Sequence, residues 1–252
     1  YGFFHPALPE EPLIFVEVAL TRELAGDVSA LIDPGAPVAD PEQATTAVFY
    51  SINNALAGLR GISFGNFLLK QVLSELAVEF PRLKQFVTLS PMPRFAAGLA
   101  RLLNGELADW PRERIEQLLA DQCDELQARS GQASAVDAVT ALLGRPEVAG
   151  HPPREVMARL ALLYLVEMRD GHGGRHDPVA AFHLANGAIL ERINPCADLS
   201  DRGLAQSHGV MVNYRYDPER VEANHERFVH EGRVVLSKAL QRDYDKHLAG
   251  DA

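Results

Sequence analysis

The sequence is short of cysteine. Cys123 and Cys196 are the two among 252 residues, they lie far apart, and they form no CxxC. That pattern excludes a disulfide framework and makes a reduced, cytoplasmic setting the expectation. Long apolar runs are missing too. None reaches about 18 residues, so no transmembrane helix is expected. Positive charge is in deficit, with 24 Lys and Arg against 34 Asp and Glu, a formal net charge of −10. A general nucleic-acid binder needs a basic face, so that class is set aside. An anionic small ligand needs only local positive charge, and Arg60, Lys70, Arg82, Lys84 and Arg94 all fall within one stretch. The segment YGFFHPALPEEP has no basic region followed by an apolar core and is not read as a signal peptide. LAGDA carries no peroxisomal tripeptide.

What is present is an ordinary globular mixture, 47 % apolar and 23 % charged, in a length that suits one large domain or a domain with a lobe. Residues 13–20, LIFVEVAL, and 45–52, TTAVFYSI, read as strands. Residues 25–43 read as a loop. Phe64, Phe67, Leu68, Val72, Leu76 and Phe80 recur at helical spacing, which predicts an amphipathic helix over 64–80, stopped at Pro81. A third strand is expected at 84–89. Residues 93–168 read as mostly helical, in pieces at 93–104, 111–129, 133–144 and 153–168. RDGHGGRHDP (169–178) reads as an exposed, flexible loop. AAFHLANGAILERIN and SHGVMVNYRY read as a strand or mixed segment and a late strand, and 217–248 as helical. The order defines a mixed α/β (α+β) fold with a helical insertion at about 104–168.

Four stretches carry polar groups in constrained settings. In QFVTLSPMPR, Pro91 pushes Ser90 out of helical backbone and Pro93 stiffens the exit. The hydroxyl is either aimed at a ligand or part of a plain strand-to-helix connection. In Leu59-Arg-Gly-Ile-Ser-Phe-Gly-Asn-Phe67, two glycines precede a helix start, a setting suited to a pyrophosphate or to a simple capped turn. Gly61-Ile-Ser63-Phe-Gly65 formally matches GxSxG, but the nucleophile elbow needs a strand running straight into the serine, and about ten residues intervene here. Asp177 with His183, or Asp198 with His208, would have to complete such a hydrolase. In Phe182-His183-Leu-Ala-Asn186-Gly187-Ala188, a histidine lies in an apolar setting beside a turn, as either a core residue or a proton carrier. Asn213-Tyr-Arg-Tyr216 puts polar groups at a strand end, where α/β ligand sites gather. His172 and His176 lack an evident third ligand, so no metal is expected.

Taken together, YGFFHPALPEEPLIFVEVALT, FYSINNALAGLRGISFGNFLLKQV, LSPMPRF, FHLANGAILERIN and GVMVNYRYD resemble the catalytic domain of malonyl-CoA decarboxylase. The likeness runs from residue 1 to about 218 and is weakest over 104–168. It implies a GNAT-like acyltransferase fold with a mixed central sheet, forming a single catalytic domain over 1–252. It implies that Arg60, Gly61, Ile62, Ser63, Phe64, Gly65 and Asn66, with the first turn beyond them to Leu69, cradle coenzyme A. It also implies that Ser90 and His183 are the catalytic pair, with Tyr216 in support and Asn186 or Tyr216 orienting the histidine. The family's loop can carry a glutamate where this chain has Ser63, so no carboxylate role is carried over. The family also has an N-terminal helical domain that helps it oligomerise, and this chain is expected to begin after it. A homo-oligomer is therefore expected of the full-length protein.

The implied substrate is malonyl-CoA and the implied products are acetyl-CoA and CO₂, within fatty-acid and malonate metabolism. The thioester is the electron sink for the enolate, so no separate cofactor is expected, and coenzyme A is part of the substrate. Remaining alternatives are a coenzyme A-dependent acyltransferase of the same fold, a serine hydrolase using Ser63, and a non-catalytic coenzyme A-binding module.

Overall fold

Two prolines do not end the first long strand. Strand β1 (Gly2–His5) pairs antiparallel with β2 (Leu8–Thr21), Gly2 opposite Phe15 and His5 opposite Leu8. The computed structural model describes residues 1–36, 40–56, 58, 65–145, 147, 151–169 and 174–248, with the backbone alone for 65–68. The sequence reading starts the strand at 13, because Pro12 looks like a boundary, yet the strand also takes in Pro9. Both prolines are tolerated because the β1–β2 register shifts on either side of Phe4, the partner of Pro12, and a bulge removes the need for a regular ladder donor.

Strand β2 runs antiparallel to β3 (Thr46–Asn54), from Ile14↔Asn54 to Thr21↔Thr46. Helix α2 (Gly65–Glu79) follows and ends one residue before the Phe80 that its apolar spacing predicts as its last. It packs on β2 and β3, with Leu69, Val72 and Leu76 buried. Strand β4 (Gln85–Thr88) then lies parallel to β3, Thr46↔Gln85 through Phe49↔Thr88, and β5 is only Ser90–Pro91. Two later strands are β6 (Ile189–Asn194) and β7 (Met211–Tyr216). The strands hydrogen-bond in the order β1-β2-β3-β4-β7-β5, and β6 also pairs with β7. With β3–β4 parallel and β4–β7 antiparallel, the sheet is mixed, as the element order implies.

The chain divides into two compact units. The first comprises Tyr1–Ser90, Leu184–Leu190 and Asn213–Val235, and contains β1 to β4, α2, the short α1 (Ser29–Ile32) and helix α10 (Val221–Glu231). The second comprises Pro91–His183, Glu191–Val212 and Leu236–Ala252. It is largely helical, with α3 (Phe95–Leu103), α4 (Arg112–Leu118), α5 (Cys123–Ser130), α6 (Ala135–Leu143), α7 (Arg154–Val166), α9 (Asp201–Ser207) and α11 (Lys238–His247). Helix α8 (Pro178–Ala185) begins in the second unit and ends in the first.

The structure corrects two expectations in this region. The helix expected at 111–129 is two helices, because Leu119 leaves helical backbone (φ −103°, ψ 6°) and a 3-10 turn at Ala120–Gln122 redirects the chain. The adjacent Leu118 and Leu119 are then both buried. The segment 169–178 is not simply an exposed loop. Arg169 and Arg175 form an isolated β-bridge, and Arg175 and Asp177 are buried. The Arg175 guanidinium donates to the carbonyls of Leu165 and Val166, a cation at the C-terminal end of α7. AAFHLANGAILERIN is the mixed segment that the sequence reading allows, the end of helix α8 followed by strand β6. Asp177 caps the start of α8 and Pro178 occupies its first position, a helix-start signal that the apolar composition masks. At 217–248, Gly232 in left-handed backbone (φ 63°) ends α10, and Ser237 caps α11.

Candidate functional site

Ser90 stands where a buried strand gives way to proline. Leu89 is buried and donates its N–H to the Phe49 carbonyl at 2.9 Å, and Ser90 continues extended into Pro91, as the proline requires. Successive strand residues face opposite sides, so Thr88 and Ser90 share one face. The Ser90 hydroxyl donates to Thr88 Oγ1 at 2.8 Å, and the Tyr214 N–H donates to the same oxygen at 3.2 Å. Behind them the Asn213 amide donates to the Thr88 carbonyl at 2.7 Å and to the Ala25 carbonyl at 3.0 Å. Thr88, Ser90, Asn213 and Tyr214 are all buried. The polar residues of the NYRY stretch thus begin with a structural tie, and the hydroxyl beside Ser90 comes from Thr88. The T-x-S spacing on one strand face is the signal that finds it.

Tyr216 is buried, and burial pushes its phenol above the usual range. It pairs with Phe86, four residues before Ser90, on the order of 13 Å along the strand from that serine. Asn186 is half-buried in the turn after α8. Gly187 there has φ +77°, and its carbonyl accepts the Asn224 amide at 3.1 Å from α10.

His183 lies in the last turn of α8, only 3 % exposed, with its ring edge-on to Phe182 at 5.1 Å. Burial pushes its pKa down to about 3, so the imidazole is neutral near pH 7 in the chain without substrate. The helix is anchored by Asp177, whose Oδ1 accepts the Val179 and Ala180 N–H groups at 3.0 and 3.1 Å. Its Oδ2 accepts the Arg94 N–H and the Tyr164 hydroxyl, both at 3.3 Å. Burial pushes the Asp177 carboxyl up, against the lowering effect of these donors. Tyr164 also meets His176 Nδ1 at 3.1 Å and packs edge-on to Phe95. Asp177 and His183 are six residues apart on one helix, about 9 Å along its axis, so they are not a hydrogen-bonded pair of the kind a hydrolase needs. Asp198 accepts the Ser200 N–H at 3.0 Å beside α9.

The other predicted residues divide simply. Arg60, Gly61, Ile62, Ser63 and Phe64 lie outside the described residues, as does His172. Gly65 and Asn66 open α2, and Leu69 is 1 % exposed, its side chain in the core. Ser90, Tyr216 and Asn186 belong to the first unit and His183 to the second.

The burial of His183 carries a pH signature. Its folded pKa is below the ordinary 6.5, so between pH 6.5 and about 3 the unfolded chain binds a proton that the folded chain does not. Stability therefore falls as pH falls through that window, by about 1.4 kcal/mol per pH unit from this group. Asp177, pushed up, acts in the opposite sense, gaining stability as pH falls through its own raised pKa. Comparing the parent with His183→Gln cancels that contribution. Urea unfolding from pH 7 to 4 is expected to show the parent losing its advantage over the variant steadily, and a constant difference would mean the imidazole is solvated.

The chain thus combines a mixed-sheet α/β fold and a helix-rich unit with an extended, buried serine and a buried histidine kept neutral by desolvation. The chain belongs to the malonyl-CoA decarboxylase C-terminal domain family, whose profile matches residues 1–251. It is 36 % identical over 244 residues to the mitochondrial malonyl-CoA decarboxylase of Anser anser anser and 35 % identical over 236 residues to that of Rattus norvegicus, covering 89 % of this chain in each case. The match takes in 45 % and 46 % of those proteins, so the chain spans about half their length. Among solved structures, the malonyl-CoA decarboxylase of Rhodopseudomonas palustris is similar over 96 % of this chain and 52 % of its own, at 40 % identity and a TM-score of 0.75. That of Agrobacterium vitis matches 96 % and 55 %, at 40 % identity and a TM-score of 0.73. No helix among the described residues is long and apolar enough to cross a membrane.

Proposed function

We propose that this chain decarboxylates malonyl-CoA to acetyl-CoA and CO₂, using a GNAT-like fold. The observation that carries the reading is the family match over residues 1–251. The buried Ser90 and His183 supply chemistry that fits it.

Loss of CO₂ from the malonyl group leaves an enolate on the thioester. The chain must hold the coenzyme A handle, stabilise the enolate oxygen and deliver a proton to carbon. In this reading Arg60 to Asn66 hold the pyrophosphate and pantetheine, and Ser90 hydrogen-bonds the carboxylate or thioester oxygen. His183 starts neutral. The incoming carboxylate and the enolate that follows are opposite charges that raise its pKa on binding, so it takes up a proton as substrate arrives and passes it to the enolate carbon. Asn186 or Tyr216 orients the ring. The protein is proposed to work in the cytoplasm and, at full length, as a homo-oligomer; the goose and rat relatives carry the word mitochondrial in their names.

The test is turnover of malonyl-CoA by the purified chain, followed as CO₂ release and acetyl-CoA formation together. One CO₂ per acetyl-CoA is expected. Acetyl-CoA consumption without CO₂ would make it an acyltransferase, and tight binding without turnover in a folded chain would make it a binding module.

A further inference from the structure

We infer that Thr88 is a positioning residue that sets the direction of the Ser90 hydroxyl and re-aims it when an anionic oxygen arrives. This rests on the reading above, in which Ser90 faces the substrate. The observation is the pair of hydrogen bonds that converge on one buried atom, Ser90 Oγ to Thr88 Oγ1 at 2.8 Å and Tyr214 N–H to Thr88 Oγ1 at 3.2 Å.

A threonine hydroxyl has one proton to give and two lone pairs to accept with. A backbone N–H only donates, so the Tyr214 contact has a fixed sense. It pins the Thr88 oxygen to β7, and the Asn213 amide on the Thr88 carbonyl pins the backbone at 2.7 Å. Thr88 is therefore a rigid post, 0 % exposed. In the resting chain Ser90 gives its proton to this post. When a carboxylate or enolate oxygen reaches Ser90, the charged acceptor outbids a neutral hydroxyl, because hydrogen bonds to charged groups are stronger. The Ser90 proton then turns to the substrate and the Thr88 proton turns to Ser90. The resulting chain, Tyr214 N–H to Thr88 to Ser90 to substrate, has every donor pointing the same way, and such chains strengthen their last member. No bond is made or broken; two hydroxyl protons rotate. The device gives Ser90 a fixed place before substrate binds and a stronger donor once charge develops.

The test compares Thr88→Val, Thr88→Ser, Ser90→Ala and the double variant Thr88→Val/Ser90→Ala in malonyl-CoA turnover, each assayed below its own unfolding temperature. Thr88→Val keeps the shape and removes the oxygen. Its kcat is expected to fall about 10-fold, the value of one hydrogen bond, with KM nearly unchanged. Thr88→Ser keeps the oxygen and should restore kcat to near the parent. The double variant should be no slower than Ser90→Ala alone, since Thr88 acts only through Ser90. A merely structural threonine would instead raise KM, lower the active fraction, or add its loss to that of Ser90→Ala, and any of these overturns the inference. If Thr88→Val fails to fold, Thr88→Ser and Thr88→Ala decide. A loss shared equally by both would mean the hydroxyl is not the cause. Parental kcat in Thr88→Val beside a slow Ser90→Ala would remove Thr88 alone, whereas parental kcat in Ser90→Ala would remove the reading of Ser90 as well.

Discussion

Replacing His183 by alanine is expected to cut malonyl-CoA turnover by about 10²–10⁴-fold, the usual contribution of a general acid or base, and to leave coenzyme A affinity nearly intact. The split between the two readouts follows from the proposed division of labour. The coenzyme A handle is assigned to Arg60 to Asn66, whereas His183 is assigned to proton delivery, and its buried ring on α8 is only 3 % exposed. The neutral resting state sharpens the expectation. A ring whose pKa is pushed down to about 3 gains a proton near neutral pH only if bound substrate raises it. Calorimetry of binding of a malonyl-CoA analogue that cannot lose CO₂, in buffers of different ionisation enthalpy, should therefore show proton uptake in the parent and none in His183→Gln. Parental turnover in the alanine variant would take the imidazole out of the mechanism. Coenzyme A affinity falling in step with turnover would make His183 a core residue whose loss disturbs the binding loop.

The second large effect is on folding. Gly187→Ala is expected to cost about 2–5 kcal/mol, the sum of about 1–2 for a β-carbon in left-handed backbone and about 1–3 for overpacking. Gly187 has φ +77°, and a β-carbon there would run into the carbonyl of Val221 at the start of α10. The same helix holds the turn from the other side through Asn224 on the Gly187 carbonyl and His225 against the Ala185 carbonyl. The turn has no slack to give. Gly131 provides the control, because it has the same φ of +77° with nothing within 4 Å of the added carbon. Gly131→Ala should cost only the backbone part, about 1–2 kcal/mol. Urea midpoints separate the two, and equal losses would show that Val221 moves aside freely.

The parts of the fold that sequence reveals are those written in one stretch. The β3–α2–β4 crossover reads directly, because apolar runs and a helical apolar stripe alternate and Pro81 marks the stop. The four helical pieces between 93 and 168 read nearly as well; only the break at Leu119 is hidden, since a 3-10 turn keeps the apolar spacing of a helix. What misleads is local chemistry with a distant cause. Pro12 looks like a strand boundary until the bulge opposite it is known. The glycine-rich segment before α8 looks exposed until Arg175 is seen to close the end of α7. Within the candidate site, the extended backbone of Ser90 follows from Pro91, whereas the Asp177-Pro178 start of the helix under His183 is masked by the apolar run after it. The support that Thr88 receives from Asn213 and Tyr214 has no local signature, because the partners lie more than a hundred residues away.

That separation also sets a timetable for synthesis. Asn213 meets Thr88 across 125 residues and Ala25 across 188. At about 5–20 residues per second, β4 leaves the ribosome roughly 6–25 s before the strand that completes its far side. Until then the growing polypeptide displays an apolar edge, Phe86-Val87 and Leu89, with no β7 to cover it. The exposed stage ends when residue 216 emerges, and ribosome stalling before that point is expected to be the condition under which this protein aggregates.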